Sequence, residues 1–213
     1  MMWTFSAKKL NQLHIEAEDL WRVPAKDGWQ KSPVSPMDIL KLFKGIWIKE
    51  GYTLRAYIFR QGLNGNGVVW ALPESEFPDV DECEWLDTLK TPKPKNTLPV
   101  MEVLEGDCSP ESYISSSLFV REMREFGALW HGLSWGLHEI VDENSIDVDD
   151  YEWLVDVEDL KPKVIFGETV KVEFFTLVGV VRWRIFRHLD LYSGYRFKTE
   201  TEIVAVGGEG FIP

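Results

Sequence analysis

Residues Val164–Val206 read VIFGETVKVEFFTLVGVVRWRIFRHLDLYSGYRFKTETEIVAV, and how this stretch folds decides the fold class. β-Branched and aromatic residues run almost unbroken through it, with breaks at Gly167, near Gly179 and at Ser193-Gly194, where a chain can turn back on itself. An antiparallel meander is expected. Just upstream, Ser109 and Pro110 occupy the cap and first-turn positions of a helix that carries Leu118, Phe119, Met123 and Phe126 on one face and ends at Gly127.

The N-terminal half follows the same plan. Leu10, Leu13, Ala17, Leu20 and Trp21 recur at helical spacing between a Ser6 cap and Pro24, and a short second helix is framed by Ser35, Pro36 and Gly45. From Ile46 to Leu72 the pattern predicts a three-stranded meander with turns at Glu50-Gly51 and Asn64-Gly65-Asn66-Gly67. The proline-punctuated TPKPKNTLP (Thr91–Pro99) reads as a linker. The expected fold is therefore α+β, in two related halves of helix plus antiparallel β-meander: residues 1–90, a linker over 91–108, and residues 109–213.

An internal repeat supports this division. Asp79-Val-Asp-Glu-Cys-Glu-Trp-Leu86 matches Asp147-Val-Asp-Asp-Tyr-Glu-Trp-Leu154 at six of eight positions. A Leu-Lys and a Pro-Lys follow each copy: Leu89, Lys90, Pro94 and Lys95, then Leu160, Lys161, Pro162 and Lys163. Upstream of each lies Gly-x-x-Trp-x-Leu, as Gly67–Leu72 and Gly132–Leu137.

The second of these patterns also contains Gly132-Leu-Ser134-Trp-Gly136, the G-x-S-x-G form of a serine-hydrolase elbow, with Ser134 as nucleophile and His188 following Asp150 or Asp156. That elbow needs a strand before the serine and a helix after it. An acidic stretch follows instead, and the repeat places Ser134 opposite Val69 in a strand. Helix and strand periodicities compete over 126–141, and three glycines, at roughly 1 kcal/mol each, favour the strand. A serine hydrolase is the third-ranked reading; the expected chemistry is non-catalytic.

Composition narrows the remaining classes. The 213 residues are 45% hydrophobic, enough for a packed core. The longest apolar run, Phe174–Val181, is far short of the roughly 20 residues of a membrane helix, and the start lacks a signal-peptide core, so a cytoplasmic protein is expected. Cys83 and Cys108 form no disulfide framework, and their acidic neighbours raise thiol pKa values. His138-Glu139 lacks the second histidine of a zinc motif, and the acidic run after Asp142 lacks the glycine and twelfth-position acid of an EF-hand. The glycines of GLNGNG sit between strands without the Lys-Ser/Thr of a phosphate loop. No metal or cofactor is expected.

The net charge of −12 is unevenly spread. Ten carboxylates and no Lys or Arg lie between Glu139 and Asp159, whereas Arg182, Trp183, Arg184, Arg187, Tyr195, Arg196 and Lys198 interleave cations with aromatics in one predicted hairpin. Such interleaving tracks a phosphate backbone and stacks bases; it equally suits an amphipathic strand pair whose basic face meets the chain's own acids. Alternation would set Arg182 and Arg184 on one face and Trp183 and Ile185 on the other.

Taken in order, Gly67 and Trp70, Met123-Arg124-Glu125-Phe126-Gly127 with Trp130, and Arg182-Trp183-Arg184 with Tyr192 and Tyr195 make a layout that resembles the small accessory subunits of type III CRISPR effector complexes. Here His131 follows Trp130 where that family usually carries Arg. The resemblance implies a CRISPR-associated, antiviral-defense role: a non-catalytic ribonucleoprotein subunit that packs against other protein subunits, with guide RNA as a candidate contact of the basic hairpin. Asp79, Asp81, Asp147, Asp149 and Asp150 are then the candidate partner-binding acids. A stand-alone acidic inhibitor using the same acids is the second reading.

Overall fold

The computed structural model describes residues 1–86 and 90–211 and shows an α+β fold with mainly antiparallel sheets. Leu89 of the first repeat lies outside the described residues. A short strand, β1 (Met2–Thr4), precedes helix α1 (Ala7–Trp21), where Lys9 N donates to Ser6 Oγ at 3.4 Å. Helix α2 (Pro36–Leu40) is capped by Ser35 and α3 (Pro110–Glu125) by Ser109, each with proline in its first turn; Gly45 and Gly127, at positive φ, follow α2 and α3. The helix signals in the sequence are thus borne out.

Two compact units form: one of Glu16–Trp135, the other of Met1–Ile15 with the residues from Gly136 onward. They differ from the expected halves because the segment expected as a linker is strapped to the middle unit's own sheet, and α3 stays with that sheet.

In the middle unit β2 (Gly28–Lys31), β4 (Tyr52–Gln61) and β5 (Asn64–Pro73) form one sheet in the order β2-β4-β5, while β3 (Ile46–Ile48) pairs with β8 (Leu104–Gly106). The expected meander therefore gains β2 and loses β3. Its turn is Gly62-Leu63, between the paired Gln61 and Asn64, so the Asn-Gly repeat lies within β5. The glycines there serve close approach: a Cβ on Gly67 would stand 2.2 Å from the Phe126 carbonyl oxygen. The strap begins with β6 (Glu84–Trp85) paired to β7 (Pro92–Lys93); Trp70 Nε1 donates to Pro92 O at 2.9 Å, and Ala71 and Leu98 exchange backbone bonds at 3.0 Å.

The other unit is a seven-stranded antiparallel sheet. It contains β9 (Glu139–Val141), β10 (Glu152–Trp153), β11 (Lys163–Ile165), β12 (Lys171–Val178), β13 (Arg182–Ser193) and β14 (Arg196–Glu209) in the order β1-β11-β12-β13-β14-β10, with β9 also on β12. Val141, Leu160, Phe175, Leu177, Ile185, Val204 and Ala205 form a buried cluster on one face, and Ile146, Tyr151, Trp153 and Val157 pack against it. The acidic run after Asp142 is therefore anchored to the sheet by the apolar residues between its carboxylates. No described helix is long and apolar enough to cross a membrane.

Candidate functional site

Among the cations of the basic hairpin, Arg187 is neutralised by its own sheet. Arg187 reaches Glu173 at 3.0 Å and Glu202 at 3.0 Å; Glu173 also holds Lys163 at 3.0 Å, and Lys163 holds Asp159 at 3.2 Å. Burial alone would lower the pKa of Lys163, but hydrogen bonds and charge from Glu173 and Asp159 outweigh it and hold the ammonium above its usual value. Arg182 donates through Nε to Gly207 O at 2.9 Å, and the Arg184 guanidinium lies 5.6 Å from the Phe186 ring centroid. Register shifts between Arg182 and Arg184 and between Ile185 and Phe186 break the simple alternation expected of this strand. Trp183 lies over Gly179, where a Cβ would meet its ring at 2.5 Å. Tyr195, Arg196 and Lys198 lie around the hairpin turn, and Lys171 and Lys198 both pair with Leu191.

The two acidic segments fold alike. Val80–Glu82 and Val148–Asp150 are 3-10 turns, and each leads within two residues to a two-residue strand, β6 or β10. Glu82 accepts from Asp79 N at 2.6 Å to close a capping box, and Asp147 accepts from Asp149 N at 3.2 Å. Asp79 also pairs with Lys31 at 2.6 Å. Beside the first copy, Tyr57 donates to Pro78 O at 2.8 Å, and burial pushes its hydroxyl well above the usual tyrosine range. Burial, then the Tyr57 hydrogen bond opposing it, then the charge of Glu82 leave the Cys83 thiol raised. Neither Cys83 nor Cys108 forms a disulfide among the described residues.

Around Ser134 the structure corrects the expected strand. Leu129 bridges Gly65, and 3-10 turns follow at Trp130–Gly132 and Trp135–Leu137, leaving Ser134 between them. Ser134 N donates to the Glu125 carboxylate and Trp135 Nε1 donates to Glu122 at 2.7 Å. Gly132 lies so close to Gly65 that a Cβ would meet its carbonyl oxygen at 2.3 Å. A cavity of about 220 Å³ opens here, lined by Asn66, Arg121, Arg124, Glu125, Ser134 and Trp135. The pattern Gly-x-x-Trp-x-Leu thus takes two different conformations, and Ser134 has no strand-to-helix elbow.

Comparison with protein-family models, curated proteins and solved structures finds no match.

One group joins residues that are far apart in sequence. His138 Nδ1 lies 2.7 Å from Thr176 Oγ1, which lies 2.9 Å from His188 Nε2, with Phe174 stacked on His188 at 4.9 Å. The β12–β13 register that pairs Phe174 with His188 makes this cluster, and strand alternation would have placed Thr176 and His188 on one face. Among the described residues no three His, Cys, Asp or Glu side chains are grouped to hold a metal.

Proposed function

We propose that the chain is a non-catalytic, protein-binding subunit of a larger assembly, of the type III CRISPR effector kind that its layout resembles. The observation that carries this reading is the display of large aromatic side chains: Trp47, Trp85 and Trp130 are 45%, 49% and 60% exposed. Tryptophan is enriched in the buried centres of protein interfaces, and a chain that leaves these side chains in water gains by covering them. Trp130 also holds φ +47, a conformation unusual for a bulky residue, in a loop fixed by the Leu129–Gly65 bridge and the Glu122 and Glu125 contacts. The conformation at Ser134 favours this reading over the hydrolase.

A guide-RNA contact is a second reading, favoured by one observation: Arg196 and Lys198 are exposed at the hairpin turn, with Lys171 on the same cross-strand line as Lys198. Its site has moved from the Arg182–Arg187 end to the tip, because Arg187 is held by two glutamates. Coexpression with the products of flanking genes tests the assembly reading. A stoichiometric complex is expected; a chain that elutes alone beside every neighbour overturns it. Retention of RNA by that complex, lost in an Arg196→Ala/Lys198→Ala variant, tests the second reading.

A further inference from the structure

Strand β14 has β13 along the whole of one edge, but on its other edge β10 and the Leu154 N–H that follows it reach only Val204, Ala205 and Val206. From Arg196 to Glu202 no strand lies against that outer edge among the described residues. The register to β13 is unbroken over this segment, both register shifts lying beyond it, and the segment contains neither proline nor glycine. An open edge is a template for another strand, and proteins usually guard one with a bulge, a proline, a covering element or repelling charges. Here the bulge and the proline are absent, and the charges are of both signs.

The order of those charges selects the occupant. Arg196, Lys198, Glu200 and Glu202 alternate along the strand, so they share one face, and all four are exposed. Their signs reverse about Thr199. An antiparallel copy of the same segment, related by a two-fold axis at Thr199, therefore sets Lys198 opposite Glu200 and Arg196 opposite Glu202, each pair occurring twice. Lys198 and Glu200 make no ion pair among the described residues. Arg187 engages Glu202 through Oε1 at 3.0 Å, but the Glu202 side chain is 49% exposed, and a carboxylate accepts from more than one donor. The sheet carries the pattern inward: Lys171, Leu191 and Lys198 lie in one cross-strand row, and Glu173, Leu189 and Glu200 in the next but one. Each row ends at the edge in a charge that its own chain leaves unanswered, and the opposite row of a second copy answers it. On the other face Phe197 would meet Thr201, and Thr199 its own counterpart, residue types that favour cross-strand pairs.

We infer that Arg196–Glu202 is a self-complementary sheet edge at which two copies of this chain pair antiparallel about Thr199, continuing the sheet from one copy into the other. The inference goes beyond the reading of the chain as a subunit of an assembly and does not rest on it. The pairing stops short of Val204, so β10 keeps its place. The test is sedimentation velocity of the whole chain over a rising concentration series, for the parent, Lys198→Glu, Glu200→Lys and an equal mixture of the two variants. The parent is expected to form a concentration-dependent dimer. Each variant alone sets like charges opposite one another twice per dimer, which should weaken association by about tenfold. The mixture should regain it, because one chain then offers carboxylates at positions 198 and 200 and the other offers ammonium groups. Two misfolded chains would not restore each other, so the mixture also controls for folding. A parent that stays monomeric throughout, association indifferent to both substitutions, or a mixture no better than its components would overturn the inference. Association that nuclease treatment removes would make nucleic acid the occupant and overturn it as well. A single copy within a stoichiometric complex of flanking gene products would remove the dimer and keep the assembly reading; a dimer that elutes without those products would do the reverse.

Discussion

Trp85 and Trp153 follow nearly identical sequence and stand on the same turn-and-strand backbone, yet one is half in water and the other packs against the buried cluster of its sheet. The contrast separates two causes. Local chemistry, an aspartate cap and a short polar turn, sets the backbone in both copies. Tertiary neighbours set which side chains are covered: a two-stranded ribbon offers β6 no second layer, whereas β10 edges a sheet with a core face. What the copies share despite this difference is the local backbone, an aspartate-led 3-10 turn followed by a two-residue strand.

The contrast can be broken at several levels. The largest effect is expected from Trp153→Ala, which should lower stability by about 3 kcal/mol, against less than about 0.5 kcal/mol for Trp85→Ala, both read by urea denaturation. Equal losses would mean that the two environments do not differ. Next comes Lys163, which ties Asp159, just beyond the second copy, to Glu173; Lys163→Met should cost about 2 kcal/mol because it leaves buried carboxylate without one of its partners. The pH dependence has a definite sign. A lysine whose folded pKa is raised contributes stability fully present below its unfolded value of 10.5, and that contribution is lost as pH rises through the higher folded value. Alkaline titration should therefore expose backbone amides around the second copy to hydrogen exchange before those of the first.

Smaller effects concern the turns. Asp79→Ala and Asp147→Ala should each cost about 1 kcal/mol, the usual worth of a side-chain cap, and similar losses in the two copies would confirm that their backbone is locally determined. Smallest of all, Leu86→Ser and Leu154→Ser should leave stability within about 0.5 kcal/mol of the parent. A larger loss from either would give that leucine a folding role that its exposure does not reveal.

Much of this architecture is legible in the chain. Ser35-Pro36 and Ser109-Pro110 mark helix starts, and Gly167, Gly179 and Gly194 fall at the breaks between the C-terminal strands, because caps and turns are local. The illegible parts depend on distant neighbours. The Asn-Gly repeat reads as a turn until the end of α3 is seen to cross β5, and Thr91–Pro99 reads as a linker until it is strapped to Trp70 and Ala71. Gly132–Leu137 mimics Gly67–Leu72 in pattern, but Glu122 and Glu125 hold its residues in turns. In the hairpin the cations are visible in sequence; the acids that hold Arg187, Glu173 and Glu202, emerge only from strand register.

The central claim is that local chemistry sets the turn-and-strand backbone of both copies, while tertiary neighbours decide which tryptophan is covered. Urea denaturation of Trp85→Ala and Trp153→Ala side by side tests it most directly. The account predicts a loss of about 3 kcal/mol for Trp153→Ala and of less than about 0.5 kcal/mol for Trp85→Ala. Equal losses would contradict it.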